Sequence, residues 1–225
     1  ESISFFHKES CLIVRTNNAN LFRDNHNILI LDKAMGAFPS YTSTKLAEQL
    51  SFFEDISVAL QRRKSILVFV DPDMIIVDSL HDLQKQAISF DIVVTVREYT
   101  KMPINAGFLG ISWQARSLMI NEIFNKMINV SRNLNSVFAD QIALHSVFEC
   151  KDHRKLHKII TSNGLQVLCL PASIFNASPR DVHTKVTKRT KVLHFKGDRK
   201  LYQSKVLNLL LKKSPEAALN YAMKI

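Results

Sequence analysis

The chain has 225 residues, 46% hydrophobic and 22% charged, enough for one substantial domain with a single core and with no disorder forced by composition. No apolar run is long enough to cross a bilayer and no signal-peptide pattern opens the chain, although it begins at Glu1 and an anchor upstream of it stays open. The net charge of +10 is uneven: residues 1 to 112 hold 11 basic against 13 acidic side chains and residues 113 to 225 hold 19 against 7, so the second half seeks anions.

Three cysteines, Cys11, Cys150 and Cys169, are an odd count without metal-ligand pairing, which fits buried thiols in a reducing compartment and makes the cytoplasm the expected location. Sequons at Asn129 and Asn176 point weakly the other way. In chain order, Cys11 to Thr16 and Ile28 to Leu31 read as short strands that stop at polar residues, the second at Asp32. Thr42 to Arg63 reads as a helix, with hydroxyl residues at its start and Leu46, Leu50, Phe53 and Leu60 at helical spacing.

Ile66 to Val70 is a β-branched and aromatic run that reads as a strand buried on both faces. It ends in Asp71-Pro72-Asp73. In extended chain, residues two apart face the same way, so the two carboxylates converge, and hard oxygen ligands at the end of a buried strand suit Mg²⁺ or Mn²⁺. Acid and proline are also ordinary turn residues, and that is the better reading of D-P-D taken alone.

Met74 to Val77 is a further apolar run, and Ser79 to Asp82 has the spacing of a capping box opening a helix to about Ser89. Ile92 to Val96 is the next buried strand, ending at Arg97. Alternation of strand and helix predicts an α/β layer with a mostly parallel central sheet and helices on both faces, whose ligands gather at the carboxyl ends of strands. Thr16, Asp32, Asp71 and Arg97 sit at such ends. Asn105-Ala106-Gly107 suggests a backbone that something large must approach, or a simple bend.

Gln114 to Val130 and Phe138 to about Cys150 read as helices, with Asp140 a plausible N-cap of the second. His153 and His157 lie among Lys151, Arg154, Lys155 and Lys158, so a solvated basic helix is a better reading there than a metal site. Val167 to Leu170 is a short strand. After Val192, His194 leaves a strand, Gly197 supplies a turn and Lys200 opens the last helix, an arrangement able to hold phosphate beside a metal-binding histidine.

Four stations in this order, D-x-D at Asp71 and Asp73, N-A-G at Asn105 to Gly107, D-Q at Asp140 and Gln141, and H-x-x-G-x-x-K at His194, Gly197 and Lys200, span most of the chain. Together they resemble a GT-A fold glycosyltransferase, most like the retaining family that includes glycogenin, galactinol synthase and bacterial lipopolysaccharide galactosyltransferases. The resemblance implies one GT-A domain over residues 1–225, with residues 1–112 as the nucleotide-sugar and metal half and residues 113–225 as the acceptor side. It implies a nucleotide-diphospho-sugar donor, UDP-sugar favoured, and a hexosyltransferase acting with retention on a glycan, lipid-linked or protein acceptor. Asp71, Asp73 and His194 would hold Mn²⁺ or Mg²⁺, Gly197 and Lys200 the phosphates, and Asn105 and Gln141 the sugars, with Gly107 by the donor and Asp140 an acceptor contact or base. Thr16, Lys45 and Arg97 are further donor-side candidates. The family often continues its last motif with Pro-Trp, where this chain has Leu201-Tyr202.

No glycine-rich nucleotide loop occurs, which argues against a nucleotidyltransferase, a nicotinamide enzyme or a P-loop protein. A basic nucleic-acid-binding module is the non-enzymatic alternative, disfavoured because the aromatic residues are mostly phenylalanines embedded in apolar runs. Lys200 to Lys213 mixes leucines with lysines, so this helix either packs on the core or rests on an anionic membrane.

Overall fold

The computed structural model describes residues 12–16, 28–32, 41–99, 102–134, 136–148, 157–161, 163–212 and 214–225. Strands β1 (Leu12–Thr16) and β2 (Ile28–Asp32) form a parallel pair. Helix α1 (Tyr41–Arg63) buries Leu46, Leu50, Phe53 and Leu60, the stripe its spacing predicts. It stops where Lys64 turns left-handed at φ 49°, with Ser65 N–H donating to Leu60 O and Lys64 N–H to Gln61 O, a Schellman ending built on lysine instead of glycine. That ending turns the chain directly into β3 (Ile66–Val70).

The main sheet contains β3, β5 (Ile92–Val96), β6 (Ile104–Ser112), β7 (His157–Ile160) and β8 (Gln166–Pro171), in the order β3-β6-β5-β8-β7. The expected α/β layering is present, with one difference in direction. Only β5 and β8 pair in parallel within this sheet; β3 with β6, β6 with β5 and β7 with β8 are antiparallel. The cause is loop length: residues 97–103 are too few for a crossover, so the chain doubles back and β5 and β6 form a hairpin. Within this hairpin the register jumps between Val94 and Thr95, whose partners on β6 are Leu109 and Asn105, so Asn105-Ala106-Gly107 lies in a bulged strand and not in a preceding loop.

Alternation divides the sheet's two faces. Ile92, Val94, Val96, Leu109, Ile111, Val167 and Cys169 point into one core, covered by α1, α3 (Ser117–Arg132) and α4 (Ala139–Val147). Val93, Phe108, Leu168 and Leu170 point to the other, against α2 (His81–Lys85), the short α5 (Ala172–Phe175) and an antiparallel ribbon of β4 (Met74–Ile76) with β9 (Val192–His194). The far face of the ribbon, with Ile75, Leu193 and Phe195, packs on α6 (Lys200–Leu211) and α7 (Pro215–Lys224) through Val206, Leu210, Ala218 and Ala222.

Several local expectations change. The helix after Ser79 is one turn and a half, followed by a 3₁₀ turn at Ala87–Ser89; Ser79 Oγ accepts from His81 N–H, while Asp82 turns away to Lys191. His157 opens a strand, because β8 offers a free edge, and His153 lies outside the described residues. Lys200 opens the penultimate helix, not the last. Val206 and Leu210 are fully buried, so α6 packs on the core, while Leu201 is exposed. Cys169 is disulfide-bonded, with its partner outside the described residues, which corrects the expectation of buried free thiols. Among the described residues no helix is long and apolar enough to cross a membrane.

Candidate functional site

Strand β3 ends in a tight turn, in which Asp71 O accepts from Met74 N–H at 3.0 Å and Pro72 occupies the second position that its fixed φ favours. D-P-D is therefore a turn, as acid and proline suggest, and the turn itself is what folds both carboxylates toward one point. The ribbon brings the third group. Met74 pairs with His194, and Phe195 N–H donates to Asp73 O at 2.8 Å, so the end of β9 lies directly over the turn. His194 Nε2 is 3.0 Å from Asp73 Oδ1 and 3.8 Å from Asp71 Oδ2, and one ligand atom from each of the three residues lies within 4.8 Å of the others.

The tautomer of His194 follows from a directed chain of hydrogen bonds. Thr95 Oγ1 has one proton and gives it to Asn105 O at 3.1 Å, so it accepts from Asn176 Nδ2 at 2.9 Å. Asn176 Oδ1 then accepts from His194 Nδ1–H at 2.8 Å. Nε2 is left with its lone pair facing two carboxylates. Burial pushes the His194 pKa below its ordinary value against the pull of Asp73, so a second proton on the ring is opposed. Asp73 itself is held down to about 2: burial alone would raise it, and His194, which donates to it only when the ring carries its second proton, and Lys200, 3.3 Å away, more than offset that. Three acceptors converging without a donor between them could hold a divalent cation, and one imidazole nitrogen with two carboxylate oxygens is a donor set compatible with Mn²⁺ or Mg²⁺.

Gly107 forms the floor. A Cβ there would stand 2.6 Å from His194 Cε1, 2.8 Å from its Nδ1 and 3.1 Å from Asp71 Oδ2, so the imidazole packs on bare backbone. The group that comes close to N-A-G is thus the protein's own histidine. Gly107 N–H donates to Asn105 Oδ1 at 3.1 Å and Gly107 O accepts from Asp71 N–H at 3.0 Å. Asn105 is fully buried, and its Nδ2 has no partner among the described residues.

Lys45, from the second turn of α1, donates to Asp71 Oδ1 at 2.8 Å, to Asp140 Oδ2 at 3.2 Å and to Ala106 O at 3.2 Å, which uses all three of its N–H groups. Burial would lower its pKa, and the two carboxylates raise it above the ordinary value, so it stays charged. Asp140 is not the N-cap of α4; that position is Phe138, and Asp140 turns inward from the first turn while its Oδ1 accepts from Gln141 N–H at 2.8 Å. Gln141 Oε1 accepts from Arg97 Nη2 at 2.9 Å, Arg97 Nε donates to Met102 O at 2.9 Å, and the guanidinium lies over the Tyr99 ring. Burial lowers the Arg97 pKa from its very high ordinary value.

The structure thus brings together Asp71, Asp73, His194, Lys45, Asp140, Asn105, Gly107 and Lys200, with Gln141 and Arg97 alongside. Gly197 adopts the left-handed φ of 56° expected of its turn, in open space. Thr16 ends β1 as expected, and its side chain lies outside the described ones. Sequence reasoning missed Thr95 and Asn176, which orient His194, and Lys196, which burial and the nearby Arg97 push down to about 8. Asn176 had drawn notice only as a sequon; buried as it is, its amide serves the histidine.

No protein-family profile matches the chain, and no curated protein matches it. Among solved structures it is similar to a glycosyltransferase involved in the glycosylation of the major capsid of PBCV-1, at 11% identity and a TM-score of 0.49, over 87% of this chain and 100% of that one. It is also similar to the bifunctional glycosyltransferase WbbM in its apo form, at 14% identity and a TM-score of 0.46, over 80% of this chain and 37% of that one. Both scores are too low to carry function, which is read from the site's own residues.

Proposed function

We propose that the chain is a metal-dependent glycosyltransferase that moves a sugar from a nucleotide-diphospho-sugar, UDP-sugar favoured, to a glycan, glycolipid or protein acceptor. The observation that carries the reading is the unprotonated Nε2 of His194 facing Asp71 and Asp73. Mn²⁺ or Mg²⁺ held there would stabilise the negative charge that develops on a departing nucleoside diphosphate. Lys200, 60% exposed on the rim, and the N–H groups of the Gly197 turn are the chain's own phosphate donors. Asn105 Nδ2 offers a buried donor to a sugar oxygen, and Gln141, whose Oε1 Arg97 holds, offers its amide N–H₂. Each Asp140 oxygen keeps a second lone pair, so it can accept from an acceptor hydroxyl while Lys45 holds it in place. Retention and hexosyl transfer follow the resemblance of the four motifs.

For location, a disulfide at Cys169 favours an oxidising compartment over the cytoplasm. Contact with an anionic membrane rests on the exposed Leu201 and Leu211 beside Lys205 and Lys212, and flotation with anionic vesicles at low salt tests it. The donor site is tested by calorimetric titration of UDP with and without Mn²⁺. Binding is expected to require the metal and to be lost in Asp73→Ala; metal-independent binding that survives the substitution overturns the assignment. Binding of RNA or DNA with a steep salt dependence and no metal requirement would favour the nucleic-acid alternative instead.

A further inference from the structure

If the Asp71, Asp73 and His194 cluster with Lys200 serves the diphosphate, a second group of cations beside it is left without an assignment. Lys196 follows β9 and is half-buried, and its Nζ makes no hydrogen bond or ion pair among the described residues. The charged groups whose fields reach it are Arg97, Asp181, Asp71 and Arg199. Asp71 is already engaged by Lys45 at 2.8 Å. Asp181 is shared, with one oxygen 3.8 Å from Arg199 Nη1 and the other accepting from His183 N–H. Three cations, Lys196, Arg97 and Arg199, therefore share the field of one carboxylate, with Arg199 alone within ion-pair distance of it, an arrangement that an incoming anion completes.

The cluster is also built to stay put. Arg97 is fixed by Met102 O, by Gln141 Oε1 and by the Tyr99 ring, which itself lies against the His183 ring. Arg199 is fixed by Ser178 Oγ at 2.9 Å, and Ser178 Oγ donates its proton to His194 O. The strand order sets its Arg97 side apart from the diphosphate end. Asp71 follows β3 and Arg97 follows β5, with β6 between them, so two strand spacings, roughly 10 Å, separate their backbones. Lys200 sits at the Asp73 end, whereas Arg97 sits beside Gln141 and Asp140, where the transferred sugar and its acceptor would meet.

Resting on the donor reading above, we propose that Lys196, with Arg97 and Arg199, forms a second anion site that receives a carboxylate or phosphate carried by the transferred sugar or by the acceptor. The enzyme then selects acidic sugar chemistry. Calorimetry on the full chain with Mn²⁺ has two arms. The first compares UDP-glucuronate with UDP-glucose. The second titrates glucuronate, mannose 6-phosphate and glucose into the protein with UDP bound, and again without UDP.

In one arm the charged probe is expected to bind about tenfold or more tightly than its neutral counterpart. That arm names the source of the anion. Lys196→Met is expected to erase the ratio and Lys196→Arg to keep it, with UDP affinity within about twofold of the parent and an unchanged thermal melt. Equal binding of charged and neutral probes in both arms overturns the proposal. So does a ratio that survives Lys196→Met, or a loss of UDP affinity beyond about tenfold in that variant, which would put Lys196 on the diphosphate. Failure of UDP to bind at all would sink the donor reading instead, and the acidic-sugar titration without UDP still reads the second site.

Discussion

Asn176 decides which nitrogen of His194 faces the two aspartates. Its amide is oriented by Thr95, whose single proton is committed to Asn105 O, so the direction of every bond in the chain is set by the one before it. Asn176→Ala frees the ring to rotate or change tautomer, and is expected to weaken Mn²⁺ binding about 10- to 100-fold without changing the circular dichroism spectrum. Manganese titration followed by electron paramagnetic resonance reads this, and an unchanged affinity would show that Asn176 does not set the tautomer. Lys45 works by a different term. Its ammonium is the counter-ion of the buried Asp140, so Lys45→Met strands that carboxylate, at an expected cost of about 3 kcal/mol in urea unfolding. Adding Asp140→Leu should recover much of the loss, because the stranded charge goes with it.

At the scale of elements, the β5–β6 hairpin and the β4–β9 ribbon form the site between them, and Gly107 in the hairpin contrasts with Gly197 in the turn that follows the ribbon. Gly107→Ala adds a Cβ 2.6 Å from the His194 ring, which is pinned by Asn176 and has nowhere to go; metal binding should be lost, with a stability cost of about 1–3 kcal/mol. Gly197→Ala meets nothing in space and bears only the left-handed φ, about 1–2 kcal/mol, so metal binding should survive it. Melting curves with and without Mn²⁺ separate the two. The sequence displayed the ends of these elements better than their pairing. Ile66 to Val70 and Ile92 to Val96 were bounded by acid and by Arg97, whereas the direction of β6 depends on a loop too short to cross over. The register jump that carries Asn105 to Gly107 into the sheet has no signature beyond one glycine.

Across the whole molecule, three layers follow from period-2 alternation in β5, β6, β8 and the ribbon. That alternation was hidden in runs apolar on both faces, which is why the layers were legible only as a class. The candidate site was more legible than its scaffold, since Asp71, Asp73 and His194 carry unusual chemistry at strand ends. Thr95 and Asn176 look like any polar residue until folding buries them. Cys169 is a further example: three cysteines in an odd count gave no pairing, and nothing in their spacing marks Cys169 as disulfide-bonded. Alkylation of the native protein without reductant should label at most one of the three cysteines, and labelling of all three would remove the disulfide and with it the preference for an oxidising compartment.

The pairing of β4 with β9 has a consequence for biosynthesis. It joins a turn in the first half of the chain to a strand near the end of the second, and neither side alone offers more than two ligand atoms of the trio. A nascent chain still waiting for Val192–His194 to emerge therefore has at most two of the three ligand atoms, and any ion that the proposed site holds would be gripped by all three only once β9 has joined β4.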